Sequence, residues 1–268
     1  MKTARRSVIL LVLAVLFAAP CFAQGLDIPI KKDQPAEAAQ KVEKPAEDAP
    51  PTPVGEMDEF KGAVRARFGD QTPRVLAKGA TIYVNDVVFT GPEDKGKIVF
   101  YDESNLEIGP DSEVRMVDFV NDSKNPNVAA QAMKFMKGMF RFVTGQIVSR
   151  NPESLQLESP LASIGIRGTT TDHKITLKET VKDGKPVMEV ENEIHALRAT
   201  KTKSVVTVRH LGKTQILDKI NESVFLRPEL PGEVRPLSEK EMEDFANVPM
   251  DRAPFDPREG ALIKGGAN

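Results

Sequence analysis

The segment from Ser159 to Thr169, Ser-Pro-Leu-Ala-Ser-Ile-Gly-Ile-Arg-Gly-Thr, constrains the fold more than any other part of the chain. Its β-forming residues alternate but are interrupted by Gly165 and Gly168, with Arg167 between them. Glycine tolerates positive φ and close backbone approach, so the spacing predicts a strand that bulges or turns a corner. We expect Arg167 to brace that corner, because its five donors can satisfy carbonyl groups that the corner leaves unpaired. Contact with a ligand is the alternative role for Arg167.

The N-terminus has the pattern of a secretory signal peptide. Three basic residues in the first six positions precede an apolar run from Val8 to Ala19 that is shorter than the roughly 20 residues of a membrane span. Small residues at Cys21 and Ala23 suit cleavage after Ala23, which gives a signal peptide over residues 1–23. Lipidation of Cys21 is an alternative, but the preceding residues lack the pattern of a lipobox. We expect an exported, periplasmic protein without a transmembrane segment after cleavage.

Loss of the signal peptide changes the chemistry that the chain can offer. Cys21 is the single cysteine, so the mature chain would contain no thiol and no disulfide. Removal of three basic and no acidic residues takes the formal charge from −2 to −5. A mildly acidic chain without a dense run of Lys and Arg argues against nucleic acid as a partner.

Composition divides the rest of the chain into three parts. Residues 24–57 are rich in Pro, Ala and Glu and have no apolar periodicity, so they predict a disordered spacer. Residues 58–227 contain short segments rich in Val, Ile, Phe and Thr, separated by turn residues at intervals of about 8 to 12, which predicts an all-β domain. A solenoid-like and a sandwich-like arrangement of many short strands both remain open. Within this part, the alanines after Val128 allow a helical turn, whereas the phenylalanines beyond Lys134 predict a strand with a bulge at Gly138.

Residues 228–268 form a Pro-rich tail with one local signal. Ser238 and Glu241 form a capping box, and Leu237 and Met242 stand at the positions of a hydrophobic staple. These residues predict a short helix over 239–246. We expect its apolar face to pack on the β domain, with partner binding as the alternative.

Four motifs occur in an order that resembles the FecR domain. They are Asn85–Thr90, Phe100–Ser112, Met139–Gly145 and Ser159–Thr169, and together they give a core match over residues 79–178. Asn85 replaces the glycine that is usual in the family. The motif residues that we expect to be structural are Asp86, Asp102, Pro110, Gly145, Pro160, Gly165, Arg167, Gly168 and Thr169.

The resemblance implies a fold and a compartment but no settled activity. FecR domains are best known as the periplasmic part of proteins that take part in sigma-factor signalling in iron uptake. Family members that act as anti-sigma regulators resemble one another in having a cytoplasmic segment and a transmembrane helix, where this chain has a predicted signal peptide and spacer. The chain therefore resembles a stand-alone exported form, and the resemblance implies a role in envelope signalling or assembly with a protein partner.

The sequence provides no recognisable catalytic, cofactor-binding or metal-binding pattern. His173, His195 and His210 have no acidic or histidine partner at the spacing of metal ligands, so we interpret them as surface or hydrogen-bonded strand residues. Ser163 has no evident base, and no nucleophile motif is present. We therefore predict a non-enzymatic protein-interaction module. A cell-wall or glycan-binding module is an alternative that would need an exposed aromatic groove, and a hydrolase on a β scaffold would need converging acids or histidine in a cleft.

Overall fold

The computed structural model describes residues 51–121, 129–151 and 153–250. The predicted signal peptide and residues 24–50 of the predicted spacer lie outside the described residues, as does the chain beyond residue 250. Within these described ranges, no helix has the length and hydropathy that crossing a membrane requires.

The described residues form fifteen strands and two short helices. The strands are β1 Pro53–Lys61, β2 Arg65–Phe68, β3 Arg74–Val75, β4 Thr81–Tyr83, β5 Asp86–Phe89, β6 Lys95–Phe100, β7 Asn105–Ile108, β8 Glu113–Val120, β9 Ala130–Val143, β10 Leu155–Glu158, β11 Ser163–Lys182, β12 Lys185–His210, β13 Lys213–Leu217, β14 Glu222–Arg227 and β15 Leu230–Pro236. The helices are α1 Gln146–Arg150 and α2 Glu239–Ala246.

Strand β9 organises the sheet because it pairs with four other strands. Its first half pairs with β8 on one edge and with β10 on the other, whereas its second half pairs with β7 and β11. Among the described strand pairs only β9–β10 is parallel. Antiparallel pairing favours the sandwich-like arrangement over a solenoid, whose successive coils pair in parallel.

One hydrophobic core lies on the inner surface of the folded sheet. Its cluster includes residues from β1 through β14, so both ends of the sheet contribute to the same core. Phe135, Phe140 and Phe142 of β9 are completely buried in it, and the rings of Phe135 and Phe140 stack with centroids 4.4 Å apart. The alternation of buried and exposed residues along β6, β7 and β8 follows the period of two expected for strands with one face on a core.

The structure corrects several predicted boundaries. The spacer was predicted to reach residue 57, but β1 begins at Pro53 because Val54 and Met57 are buried in the core. The tail predicted from residue 228 contains a further strand, β15, which pairs with β14. The helical turn considered after Val128 is wrong from Ala130 onward, where the chain is already strand β9, whereas Val128 lies outside the described residues. The predicted series of short segments after Ser159 is also wrong, since it merges into the long strands β11 and β12.

The predicted C-terminal helix is confirmed as α2, Glu239–Ala246, with a complete capping box between Ser238 and Glu241. Two hydrogen bonds from Arg235, at 2.8 and 2.6 Å, lower the pKa of Glu241 to about 2, with further help from Ser238. Phe245 is completely buried against a cluster that includes Ile194 of β12. The expected packing of this helix on the β domain is therefore confirmed.

The predicted bulge in β9 is present at Gly138, which has φ +97°. A Cβ atom at this position would lie 2.4 Å from the Cα of Ser112, so a side chain would collide with the turn between β7 and β8. The Ser112 hydroxyl accepts a hydrogen bond from the Met139 N–H at 2.9 Å and lies 3.2 Å from the Met139 carbonyl oxygen. The turn thus replaces the strand pairing that β9 lacks at the bulge, and Gly138 is the residue that makes room for it.

We expect Gly138→Ala to lower the free energy of unfolding by at least about 2 kcal/mol, because it combines left-handed strain with a backbone clash. The matched control is Gly168→Ala, where φ is +59° but no atom lies within 4 Å of the added Cβ. Strain alone should reduce the stability of that variant by about 1 kcal/mol. Urea unfolding of both variants measures the difference, and equal losses would contradict the steric role of Ser112.

Candidate functional site: a buried polar network and an exposed β-ribbon

A chain of hydrogen bonds between polar side chains runs through the core where β11 and β12 pair. The register places His173 opposite His195, and their Nδ1 atoms are 3.0 Å apart. His173 Nε2 lies 2.8 Å from the Thr171 hydroxyl, and His195 Nε2 lies 3.1 Å from Oε2 of Glu193. All four side chains are fully buried. The spacing along the sequence did not indicate these contacts, because antiparallel pairing joins histidines that are 22 residues apart.

The network can be satisfied with both imidazoles neutral. His195 then donates from Nε2 to Glu193 and accepts at Nδ1 from the Nδ1–H of His173, whose Nε2 accepts from Thr171. Burial, followed by the neighbouring His195, lowers the pKa of His173 well below its ordinary value. The interpretation of these residues as hydrogen-bonded strand histidines is supported, and it extends to His210, whose ring nitrogens contact the carbonyl oxygens of Leu161 and Leu230.

Glu193 extends the network to the turn that precedes β11. Its Oε2 accepts a hydrogen bond of 2.6 Å from the Ser159 hydroxyl, and its Oε1 accepts one of 3.0 Å from the Leu161 N–H. Ser159 also accepts from the Ala162 N–H at 3.1 Å, which closes the turn around Pro160. A carboxylate from β12 therefore holds the Ser-Pro-Leu-Ala turn in place.

The network has the residue types of a catalytic triad but not its geometry. The Ser159 hydroxyl contacts Glu193 rather than a histidine, and the second nitrogen of His195 faces His173. A nucleophilic serine needs a base at its own hydroxyl and access to substrate, whereas these groups are buried. Within the described part of the chain, no group of three or more His, Cys, Asp or Glu residues could hold a metal ion. The arrangement serves to fix the hairpin and the turn.

A second polar cluster lies on the opposite face of β11. Asp172 is fully buried and accepts hydrogen bonds of 2.7 and 2.8 Å from Arg141 of β9. Arg198 of β12 lies 2.9 Å from the same carboxylate. Burial lowers the pKa of Arg198 despite the attraction of Asp172, while Asp172 and Glu107 outweigh burial and raise the pKa of Arg141. This cluster joins three adjacent strands through one carboxylate.

The motif residues of the first half of the domain occupy turns and close contacts. Asp86 is buried and binds Arg74 through both carboxylate oxygens, at 2.8 and 2.5 Å, and accepts from the Tyr83 N–H. Asp102 accepts from the Ser104 N–H and from the Ile147 N–H at the start of α1. A Cβ on Gly145 would lie 2.3 Å from the Asp102 carbonyl oxygen, so the structure brings these two motif residues together. The Pro110 carbonyl lies in the turn that Ser112 closes.

The structure divides the roles that the sequence assigned to the Gly165–Thr169 segment. Gly168 has φ +59° and marks the predicted corner, where the pairing of β11 with β12 shifts register. Gly165 is not a bend, but a Cβ there would lie 2.7 Å from the Thr207 hydroxyl, so it permits close approach of β12. Thr169 exchanges hydrogen bonds with Thr144, the residue after the end of β9, and donates to the Ala199 carbonyl.

The predicted brace role of Arg167 is wrong. Arg167 is exposed, and among the described residues its guanidinium makes no hydrogen bond or ion pair. The carbonyl groups at the corner are satisfied by hydroxyls instead, since Ser204 donates to the Gly168 carbonyl at 2.5 Å and Thr144 to that of Thr169 at 3.2 Å. Hydroxyl side chains are short enough to reach the adjacent backbone from within the sheet, whereas Arg167 points to solvent.

An exposed β-ribbon projects from the sheet beyond these buried clusters. β9 pairs with β11 only as far as Ile175, and β14 pairs with β12 only from Glu193. Between these points, residues 176–192 pair with each other alone, around a tip at Asp183 and Gly184 where both residues have positive φ. This turn conformation suits a two-residue hairpin.

One face of the ribbon is apolar. Cross-strand pairs place Leu177 opposite Val190, Glu179 opposite Met188 and Val181 opposite Pro186. Leu177 packs against the main core, so this face continues the core surface outward. Val181 and Met188 keep 72% and 60% of their surface exposed. The opposite face is mostly polar and carries the ion pair between Lys182 and Glu189.

The lowered pKa of His173 predicts acid sensitivity. The unfolded chain binds a proton at this histidine near pH 6.5, but the folded chain does not, so the stabilisation is complete above that pH and is lost as the pH falls. We expect the free energy of unfolding to decrease by about 1.4 kcal/mol per pH unit between about pH 6 and 5 from this group. Urea unfolding at several pH values, compared with His173→Asn, measures the slope. An identical slope in the variant would contradict this assignment.

Residues 86–192 match the protein family described as FecR protein. No curated protein matches the sequence. Two crystal structures of a candidate anti-sigma factor from Parabacteroides distasonis align with a TM-score of 0.40 and 12% identity over 60% of this chain. The aligned region spans 63% and 62% of those two chains, which is less than two thirds of their length. The match to the family includes β5 to β11 and the ribbon, whereas Glu193, His195 and Arg198 of the buried polar clusters lie beyond its end. Residues 86–192 are therefore the part of this chain that is similar to the FecR family.

Proposed function

We propose that this chain is a non-enzymatic interaction module of the bacterial envelope, and that it contacts a protein partner through the apolar face of the ribbon. The observation that carries the proposal is the exposure of Val181 and Met188 on a two-stranded ribbon without a third strand. An isolated two-stranded ribbon is only marginally stable in water, and its apolar face is stabilised when another surface covers it. The FecR domain supports a role in envelope signalling or assembly, as the family resemblance implies.

The buried clusters support a role without catalysis. The acids and histidines that could act as bases are used within the core, where they hold strands and a turn. A hydrolase would need such groups in a cleft that admits substrate.

The exposed aromatic residues do not favour the glycan-binding alternative. Phe60 and Tyr101 are 42% and 47% exposed, but they lie near opposite ends of the β1–β6 pair, about 17 Å apart along the strands. Two grooves, one over β10–β13 and one near Ser154, are lined without any aromatic side chain. Sugar rings bind preferentially by stacking on aromatic rings, so these surfaces suit a protein better.

The ribbon proposal predicts that Val181→Asp combined with Met188→Asp abolishes partner binding without unfolding the domain. The full chain carries a photo-crosslinking residue at Glu179, on the same apolar face, and is irradiated in intact cells. We expect a crosslinked protein whose yield falls at least tenfold in the double variant. The control Lys185→Glu makes the same change of −2 in formal charge on the opposite face and should keep the crosslink.

Circular dichroism and the melting temperature of each variant show that the domain is folded. Unchanged crosslinking in the folded double variant would overturn the ribbon as the contact surface. Recovery of glycan alone would favour the cell-wall module instead.

Export is the second part of the proposal, and it is supported by the signal-like pattern before Gln24. We expect the full-length gene product to appear in the periplasmic fraction with Gln24 as its first residue, as measured by intact-mass and N-terminal analysis. Replacing the apolar pair Leu10 and Leu11 with arginine should retain the uncleaved chain in the cytoplasm. A chain that stays uncleaved with the native sequence would contradict the predicted processing.

A further inference from the structure

The outward face of the sheet collects basic residues that are far apart in the sequence. Strand pairing places Arg67 of β2 beside Val87 of β5, and Val87 beside Arg115 of β8. Arg115 pairs in turn with Lys134 of β9. The row continues through Glu158 of β10 and Ser163 of β11 to Arg209 of β12 and Thr214 of β13. We call this row, together with Arg167 two residues beyond Gly165 on the same face of β11, the cationic row.

The same-face placement follows from the neighbours of each residue. The residues next to the charged members in sequence, such as Ala66, Val114 and Met133, are buried in the core, so the charged side chains face outward. Val87, between Arg67 and Arg115, is itself buried. At about 4.8 Å per strand, the row from Arg67 to Arg209 crosses six strand spacings and is about 29 Å long.

The basic side chains of the cationic row are not paired with acidic side chains of the same chain. Arg67, Arg115, Lys134, Arg167 and Arg209 are exposed, and within the described residues none of their side chains forms an ion pair or a hydrogen bond. Acids on this face are fewer: Glu158 within the row and Asp118 and Glu113 beside it on β8. The face therefore carries a net positive charge on a chain whose formal charge is −2.

The middle of the row is a shallow groove rather than a ridge. Gly165 provides no side chain, and Ser163, Thr207 and Thr214 provide only small hydroxyl groups. The groove has a volume of about 290 Å³ and lies across β10 to β13, between Lys134 on one side and Arg209 on the other. An extended chain spans 29 Å with about nine residues, so a single peptide segment can follow the row from end to end.

We infer that this face binds an extended acidic segment of a partner protein. Charge complementarity selects an anionic occupant, because five uncompensated cations attract and orient one. Glu158 at the centre selects a protein over a uniformly charged polymer or membrane surface, which would place negative charge against this carboxylate. A peptide avoids that repulsion by carrying a neutral or basic residue between acidic ends. The face is separate from the apolar ribbon, so its failure leaves the proposed function unaffected.

Direct binding of a synthetic peptide tests the inference on the purified mature chain. The probe is a fluorescent ten-residue peptide, Glu-Glu-Glu-Glu-Ser-Lys-Ser-Glu-Glu-Glu, and its counterpart has Gln in place of every Glu. We expect the acidic peptide to bind, the neutral one to bind at least tenfold more weakly, and added salt to weaken the complex because exposed charges are screened. Equal binding of both peptides, or binding of neither, would overturn the inference.

Two matched triple variants locate the contact. Arg115→Glu, Lys134→Glu and Arg209→Glu reverse the row, whereas Lys61→Glu, Lys219→Glu and Lys240→Glu make the same change of formal charge at exposed sites elsewhere. We expect at least a tenfold loss of peptide affinity in the first variant and less than a threefold loss in the second. Equal losses would show that overall charge, not this face, controls binding and would overturn the assignment.

The class of occupant is tested with a competing anionic surface. Vesicles containing phosphatidylglycerol should bind more weakly than the peptide, and Glu158→Lys should strengthen vesicle binding by removing the central repulsion. Vesicles that bind the native chain more tightly than the peptide would overturn the choice of a protein segment. Melting temperatures of all variants show that the sheet remains folded.

Discussion

The contact between Gly138 and Ser112 is the constraint on which the sheet depends. A strand has two edges, yet β9 pairs with four strands, so its neighbours must change partway along its length. The change occurs at Gly138, where the positive φ opens the pairing and the Ser112 turn takes its place through the hydrogen bond from Met139. Because β7 and β11 flank the second half of β9, this bulge also determines where Arg141 meets Asp172.

The buried polar side chains can stabilise the long hairpin only because each of them has hydrogen-bonding or charged partners. The two histidines share one hydrogen bond, and their other ring nitrogens bond to Thr171 and Glu193. All four ring nitrogens are therefore satisfied without a charge on either imidazole. Asp172 instead binds two arginines, so its removal would leave both of these largely buried cations without this carboxylate. Such clusters contribute little net stability compared with apolar packing, but they tolerate only one register of β11 against β12.

The sequence predicted the features that depend on neighbours along the chain. Helix α2 follows from Ser238 and Glu241, which are three residues apart, and the bulge at Gly138 and corner at Gly168 follow from glycines within strand patterns. The features that depend on register could not be predicted. His173 and His195 are separated by 22 residues and meet only because β11 and β12 form one long hairpin. The brace role predicted for Arg167 is wrong for the same reason, since the hydroxyls that satisfy the corner come from Thr144, just after β9, and from Ser204 of β12.

The distribution of charge shows why overall composition is a weak guide to partners. Some arginines and acids pair inside the domain, as Arg141 and Arg198 do with Asp172, so the formal charge does not show which charges face solvent. The exposed cations of the cationic row belong to β2, β8, β9, β11 and β12, which are separate segments of the sequence. The alternation of side chains along each strand places each of these cations on the outward face of its own strand. Only the pairing order β2-β5-β8-β9-β10-β11-β12 brings these outward faces together into one surface. A chain of formal charge −2 can therefore present a positive face. Net charge alone cannot exclude an anionic partner, because the order of the strands determines which charges share a surface.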